Sequence, residues 1–320
     1  MKKVLILFGG NSYEHEISCK SVNFIINNID TNSFEFKLVG IDFDNIWHEI
    51  KNNTYIDKNW KNNISKKINN INEYLKGFDI VFPVIHGNSG EDGKLQALFE
   101  LNNIKYVGCD SYSSLICYDK LLTKLILEKY SIPQIPYIIY NKNINLNEID
   151  YPVIVKPCKC GSSLGIGIAN NKKEIKQAIK KALKYDKNII VEKFLKNNRE
   201  LECAILEKKG KLIVSDVGEI VNNGNWYDYD AKYTIKNKTI ISQIDSNIKN
   251  DLQCYSKSIF KILGCKDLSR IDFLYDLESK KLYFNEINTI PGFTEISMYP
   301  KLIKNEGIDF KELVNILLSQ

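Results

Sequence analysis

At 320 residues the chain exceeds one typical domain, so two or three are expected. Its hydrophobic fraction of 44% and charged fraction of 26% are ordinary for a globular protein, and 44 basic residues interspersed with 39 acidic ones leave a net charge of only +5, which excludes the clustered basic footprint of a nucleic-acid binder. The N-terminal VLILF run is far too short to span a membrane and leads into Gly9 and Gly10 with no cleavage pattern, so a cytoplasmic protein with no membrane partner is expected.

KKVLILF reads as a continuous apolar strand, and the segment behind it carries Ile17, Val22, Ile25 and Ile26 at helical spacing. FEFKLVGI and FDIVFPVI are the next strands. Between them an Asn- and Lys-rich stretch from Lys51 to Asn72 reads as an irregular surface element, although it contains Trp60. Helix GKLQALFELN, strand IKYVG and one long helix from near Ser111 to Tyr130 follow, and two prolines in SIPQIPYIIY then mark a boundary. Beyond it, YPVIVKP is a strand, CKCGSSLGIGIA a glycine-rich turn between strands, and KKEIKQAIKKALKY an amphipathic helix. NIIVEKFL, RELECAIL and KLIVSDVGEI are successive strands before an aromatic loop, NNGNWYDYDAKYT. A helix near residues 249–263, the strand segments SRIDFLYD and KLYFNEINTIPGFTEIS, and two helical segments complete the chain.

The last two strands carry the most chemistry. Alternation places Arg270 and Asp272 on one face, and Glu286 and Asn288 on one face of the next strand. The polar run LESKK between them suits a hairpin, which brings the four side chains onto one surface. Two facing carboxylates repel unless a cation lies between them, and two carboxylates plus an amide carbonyl make an all-oxygen set suited to magnesium carrying a nucleotide's phosphates.

Other constellations are weaker alone. GSSLGIG lets backbone N–H groups approach phosphate, with Ser162 and Ser163 as further donors, and Lys156 ends the preceding strand as a point-charge phosphate ligand. It is neither a Walker loop nor a dinucleotide fingerprint. HGNSGEDG, with His86, lies where an apolar strand runs out, and Glu14, His15 and Glu16 follow the first strand. An acid there either holds a substrate ammonium or merely complements a helix dipole. The eight cysteines show no C-x-x-C pair, so a zinc or redox module is disfavoured and most are expected to be buried thiols.

Ten motifs in order, from GGNSYEHEIS through HGNSGEDG, DK at 119–120, VKP, GSSLGIG, VEKFL, RELE, YDYDAKY and SRID to NEINTIPGFTEISMYP, resemble the D-alanine:D-alanine ligases of the ATP-grasp superfamily over essentially the whole chain. The resemblance implies an α/β, three-domain ATP-grasp fold with a Rossmann-like N-terminal parallel sheet. The domains would be 1–93 for substrate, 94–190 centrally, and 191–320 carrying the metal site. It implies Lys120 and Lys156 as phosphate ligands beside Ser163, and Glu192, Lys193, Leu195 and Glu200 around adenine and ribose. Asp272, Glu286 and Asn288 would hold two Mg2+ (or Mn2+), with Glu286 bridging. Glu16, helped by His86, would bind the ammonium of the first D-alanine, and Ser162 and Tyr233 would pair with Glu16 to close a loop. Lys232 would meet the γ-phosphate, Arg270 and the Gly292 N–H the oxyanion, and Ser297 with Met298 would flank the second D-alanine. ATP and D-alanine are the implied partners and a homodimer the implied assembly.

The chemistry is coherent on its own terms. A carboxylate is a poor electrophile, so amide formation needs phosphoryl transfer to give an acyl phosphate, which must be kept from water by a lid such as the aromatic loop. Departures from the family pattern are one extra residue between Glu192 and Glu200, CKC before the glycine loop, with oxidation sensitivity as its expected consequence, and Met298 in place of leucine. Alternatives are a D-lactate or D-serine variant, another ATP-grasp ligase, and a nucleotide-binding regulator without turnover. The last would lack at least one of the residues above, and none is missing.

Overall fold

The computed structural model describes residues 1–51, 55–221 and 238–320. β1 (Lys2–Gly9) is apolar and buried from Val4 onward, as a central parallel strand must be. It pairs in parallel with β2 (Phe34–Ile41) on one side and β5 (Ile80–Pro83) on the other, with α1 (His15–Asn28) in the crossover. Two antiparallel strands, β3 (Trp47–Ile50) and β4 (Ile64–Lys67), extend the sheet to the order β4-β3-β2-β1-β5.

The Asn- and Lys-rich stretch is therefore not merely a surface element: it leads out of β3 and supplies β4. Its Trp60 is 2% exposed, meets Phe8 edge-on at 5.2 Å, and fills the space over Gly40, where a Cβ would come within 2.5 Å of the indole. Apolar anchoring overrode a polar local composition. IKYVG makes only a single bridge, Tyr106 to Val81, rather than a strand.

The expected long helix from Ser111 is two helices, α4 (Ser111–Tyr118) and α5 (Lys120–Lys129). Asp119 breaks it by taking an extended conformation, and its carboxylate caps the Leu121 and Leu122 N–H groups. The Lys120 N–H is thereby freed to donate to the Cys158 carbonyl at 3.0 Å.

A second sheet, wholly antiparallel, has the order β6-β9-β7-β8, from β6 (Tyr137–Ile139), β7 (Val153–Pro157), β8 (Gly167–Ala169) and β9 (Ile189–Lys193), with α6 (Lys172–Ala182) against it. The strand β9 runs across residues 190 and 191. A third sheet, β12-β11-β10-β13-β14, comprises β10 (Asn198–Lys208), β11 (Lys211–Val221), β12 (Lys238–Ile241), β13 (Leu268–Asp276) and β14 (Lys281–Asn288). Against it lies α7 (Ser246–Ile262), capped by Asp245. The final helices α8 (Met298–Asn305) and α9 (Phe310–Leu318) place Tyr299, Leu302, Leu313 and Leu317 in one core with Val4, Ile6 and Phe24 of the N-terminal layer. Each such buried side chain contributes about 1.5–3 kcal/mol, so the chain's two ends hold each other. No helix among the described residues is long and apolar enough to cross a membrane.

Candidate active site

The β13–β14 hairpin pairs Arg270 with Asn288 and Asp272 with Glu286, so the four side chains share one face as alternation requires. Arg270 donates two parallel bonds to Asp272, at 2.7 and 2.6 Å, and Asn288 Nδ2 donates to Asp272 at 3.0 Å. Glu202 of β10 lies opposite Asp272 on the other side and reaches Arg270 at 3.1 Å. Burial opposes the Arg270 charge, but Asp272 and Glu202 outweigh it and hold the guanidinium firmly ionised. Glu202 was not singled out from the sequence, although it stands two residues beyond Glu200 on the same strand face.

Among the described residues no group of three His, Cys, Asp or Glu side chains is placed to hold a metal alone. The hairpin set is two carboxylates completed by the Asn288 amide oxygen, hard donors that fit Mg2+ or Mn2+ when phosphate oxygens fill the remaining positions. Lys120 closes the other side of this edge, its ammonium 3.7 Å from Glu286 and donating to the Cys160 carbonyl at 2.7 Å.

Lys156 leaves β7 and meets Glu192 of β9 at 2.6 Å, while Lys124 of α5 meets the same carboxylate at 2.7 Å. All three are buried. Burial alone would raise the Glu192 pKa, yet the two lysines drive it down to about 2. Burial in turn pulls the Lys124 ammonium down, so the attraction is opposed by desolvation. The triad carries one more positive than negative charge, and a phosphate would balance it. A β-bulge beside Asp272 leaves Asn285 unpaired, and its side-chain oxygen accepts from Lys156 at 3.1 Å, tying the triad to the hairpin.

The Glu192 carboxylate is engaged by two lysines, so contact of this segment with adenine would fall to its backbone. The Lys193 side chain is exposed and pairs with Asp150 at 2.7 Å. Leu195 and Glu200 lie at the turn into and the start of β10.

In the glycine loop Ser162 and Ser163 both take left-handed backbones, φ 52° and 58°, which non-glycine residues adopt only when their surroundings enforce it. Ser162 Oγ donates to Glu14, not to Glu16. Glu14 ends the turn before α1, whereas Glu16 lies in the helix's first turn, exposed. The pairing expected of Glu16 with Ser162 therefore belongs to Glu14, and the helix start at His15 decides it. The Glu14 Oε2 atom lies 2.7 Å from where a Cβ on Gly87 would be and 3.1 Å from one on Gly161, so two glycines flank it. Lys232 and Tyr233 lie outside the described residues, as does the aromatic loop.

His86 is fully engaged as well. Its Nδ1 meets the Ile290 carbonyl at 2.9 Å and its Nε2 meets Ser21 Oγ at 2.9 Å, while burial pushes its pKa down. It is a neutral strut between α1 and the Ile290 loop. Met298 does not face the site: its side chain is buried against Gly218. Ser297 stays beside Gly292, bonded to the Thr294 hydroxyl at 2.7 Å. Cys158 is buried with its thiol pushed up to about 12, and burial also raises Cys160, which lowers the thiolate fraction that the expected oxidation sensitivity depends on.

A cavity of about 1150 Å³ opens beside these loops, lined by Glu14, Glu16, Gly87, Cys160 and Gly161 among others. The hairpin edge is not part of its wall. A cavity at the carboxyl ends of a parallel sheet, next to lysines on one antiparallel sheet that face oxygen donors on another, is the arrangement of an ATP-grasp ligase.

The comparisons narrow the class. The family profile described as D-ala D-ala ligase N-terminus matches residues 3–109 and that described as D-ala D-ala ligase C-terminus matches residues 126–319. A D-alanine–D-alanine ligase of Clostridium novyi (strain NT) is 39% identical, covering 99% of this chain and 97% of its own length. Among solved structures, the VanG D-Ala:D-Ser ligase of Enterococcus faecalis has a TM-score of 0.88 at 35% identity, covering 99% and 98% of the two chains. The D-alanyl-alanine synthetase A of Vibrio cholerae O1 biovar eltor has a TM-score of 0.82 at 30% identity, covering 100% and 99%. The chain belongs to the D-alanine–D-alanine ligase family, and it is a ligase.

Proposed function

We propose that this site joins two D-alanines by way of an acyl phosphate, with ATP as phosphoryl donor and two Mg2+ or Mn2+ held by Asp272, Glu286 and Asn288. The product, D-alanyl-D-alanine, is the family's dipeptide for peptidoglycan. The observation that carries the reading is the convergence of Lys120 and the Lys124–Glu192–Lys156 triad on the oxygen-donor edge of the hairpin. Excess positive charge in the triad stands beside a hairpin edge with an excess of carboxylates, a pairing that suits a metal-bound polyphosphate.

When bound, the metal ions supply charge neutralisation for the transferring phosphoryl group. Glu14, braced by Ser162, holds the ammonium of the first D-alanine and presents its carboxylate toward the phosphates. Lys156 and Lys120 orient the phosphate chain, and Lys232 meets its terminal group when the aromatic loop closes with Tyr233. The amine of the second D-alanine then attacks the acyl carbon. Arg270 and the Gly292 N–H receive the developing oxyanion, and Ser297 lies beside that point. A homodimer is the proposed assembly, checked by sedimentation.

The test is phosphate release from ATP and magnesium with and without D-alanine, followed by mass analysis of the product. D-alanine-dependent release with formation of the dipeptide supports the reading. Release without D-alanine dependence, or none with any D-amino or D-hydroxy acid, overturns it. The likeness to VanG favours a second reading, D-serine as second substrate, which competition between D-serine and D-alanine decides.

A further inference from the structure

Glu91 has no part in the roles above, yet it lies half-buried between the two loops that face substrate. One of its oxygens accepts from the Gly87 N–H at 2.7 Å and the other from the Ile290 N–H at 3.1 Å. The carbonyl of the same Ile290 can only accept, so His86 Nδ1 donates to it, and His86 Nε2 must in turn accept from the Ser21 hydroxyl. Both backbone groups of one residue are thus gripped by the loop from 86 to 91, across about 200 positions of sequence. Ile290 lies two residues after Asn288 and two before Gly292.

We propose that Glu91 and His86 form a clamp on Ile290 that fixes the Gly292 N–H for the amide-forming step, with Glu91 as a positioning residue. This rests on the reading of Gly292 as an oxyanion donor. The two half-reactions make different demands on the clamp. In the first, a D-alanine carboxylate oxygen bonds to the γ-phosphorus and the bond to ADP breaks. In the second, the incoming nitrogen bonds to the acyl carbon, the carbon–oxygen bond to phosphate breaks, and the amine's proton leaves to solvent. Only the second places charge on an oxygen that Gly292 receives. If that step slows, water attacks the acyl phosphate instead and returns D-alanine and phosphate.

Burial pushes the Glu91 pKa up to about 8, so the comparison is made above that pH, where Glu91→Gln leaves one acceptor oxygen for two N–H groups and turns an amide donor against the other. Dipeptide formation should fall about tenfold or more, in the range of a weakened oxyanion contact. Phosphate release should fall much less, so phosphate per dipeptide rises above the one-to-one ratio of the unaltered enzyme. Ser21→Ala, which removes only the hydrogen bond that holds His86 Nε2, should raise the ratio in the same direction by a smaller factor, and it decides the matter if Glu91→Gln does not fold. A ratio that stays at one in every folded variant, even as turnover drops, overturns the clamp. If the unaltered enzyme releases no D-alanine-dependent phosphate, the reading of the site fails instead, and the two failures are distinct.

Discussion

The hairpin edge and the buried lysine–glutamate triad are both charge clusters, but they are built in opposite ways. The hairpin gathers Asp272, Glu286 and Glu202 around Arg270 on three neighbouring strands, with Glu286 partly exposed and an excess of negative charge. The triad draws Lys124, Lys156 and Glu192 from a helix and two strands, is buried throughout, and has an excess of positive charge. An open, negative edge waits for a cation, and a closed, positive cluster offers its surplus to an anion. The first is free to serve catalysis alone, while the second is also part of what holds the second sheet to α5.

That contrast predicts separable defects. Glu286→Gln should lower metal-dependent turnover by roughly 10³-fold, the upper end for loss of one charge-stabilising contact, with equilibrium unfolding unchanged. Retained turnover would refute the metal assignment. Glu192→Ala should instead destabilise the fold by about 3–5 kcal/mol, because it leaves two buried ammonium groups unpaired. Denaturant titration measures it. The pH dependence has a definite sign. The Glu192 carboxyl is held at about 2 in the folded chain against an ordinary 4.5, so its contribution is complete above pH 4.5 and is lost as pH falls toward 2. The loss of stability across that window should shrink in Glu192→Ala.

A smaller effect separates the two N-terminal acids. Glu14→Gln should raise the KM for D-alanine by about tenfold or more, the worth of one charge-assisted hydrogen bond, whereas Glu16→Gln should stay within about twofold. The reverse order would restore Glu16 to the role first expected of it. Smallest of all, Met298→Leu should change stability by less than about 1.5 kcal/mol and leave kcat alone, since it exchanges one buried apolar side chain for another of similar volume. A changed preference for the second substrate would show that Met298 reaches the site after all.

What could be read in the sequence follows the range of the interactions. Arg270, Asp272, Glu286 and Asn288 were legible because a strand's alternation and a short hairpin are local, and the register places them together. Lys124 was not, because a helix lysine among 44 basic residues is marked only by a carboxylate 68 positions away, and that contact is made by the fold. Glu14 and Glu16 differ by two positions, and the onset of α1 between them is what sends one inward. Trp60 misled because its neighbours are polar while its ring is held by Phe8 and Gly40. The break at Asp119 and the bulge at Asn285 carry no strong local signal, yet each aims a side chain at the site.

The two glycines flanking Glu14 set a limit on what the chain can become. A methyl group at Gly87 would stand 2.7 Å from the Glu14 carboxylate, and one at Gly161 would stand 3.1 Å away. Given the role proposed for Glu14, either would sit where the substrate ammonium arrives. A single added carbon at these positions would act as a tethered competitor, present at saturating local concentration and impossible to wash out.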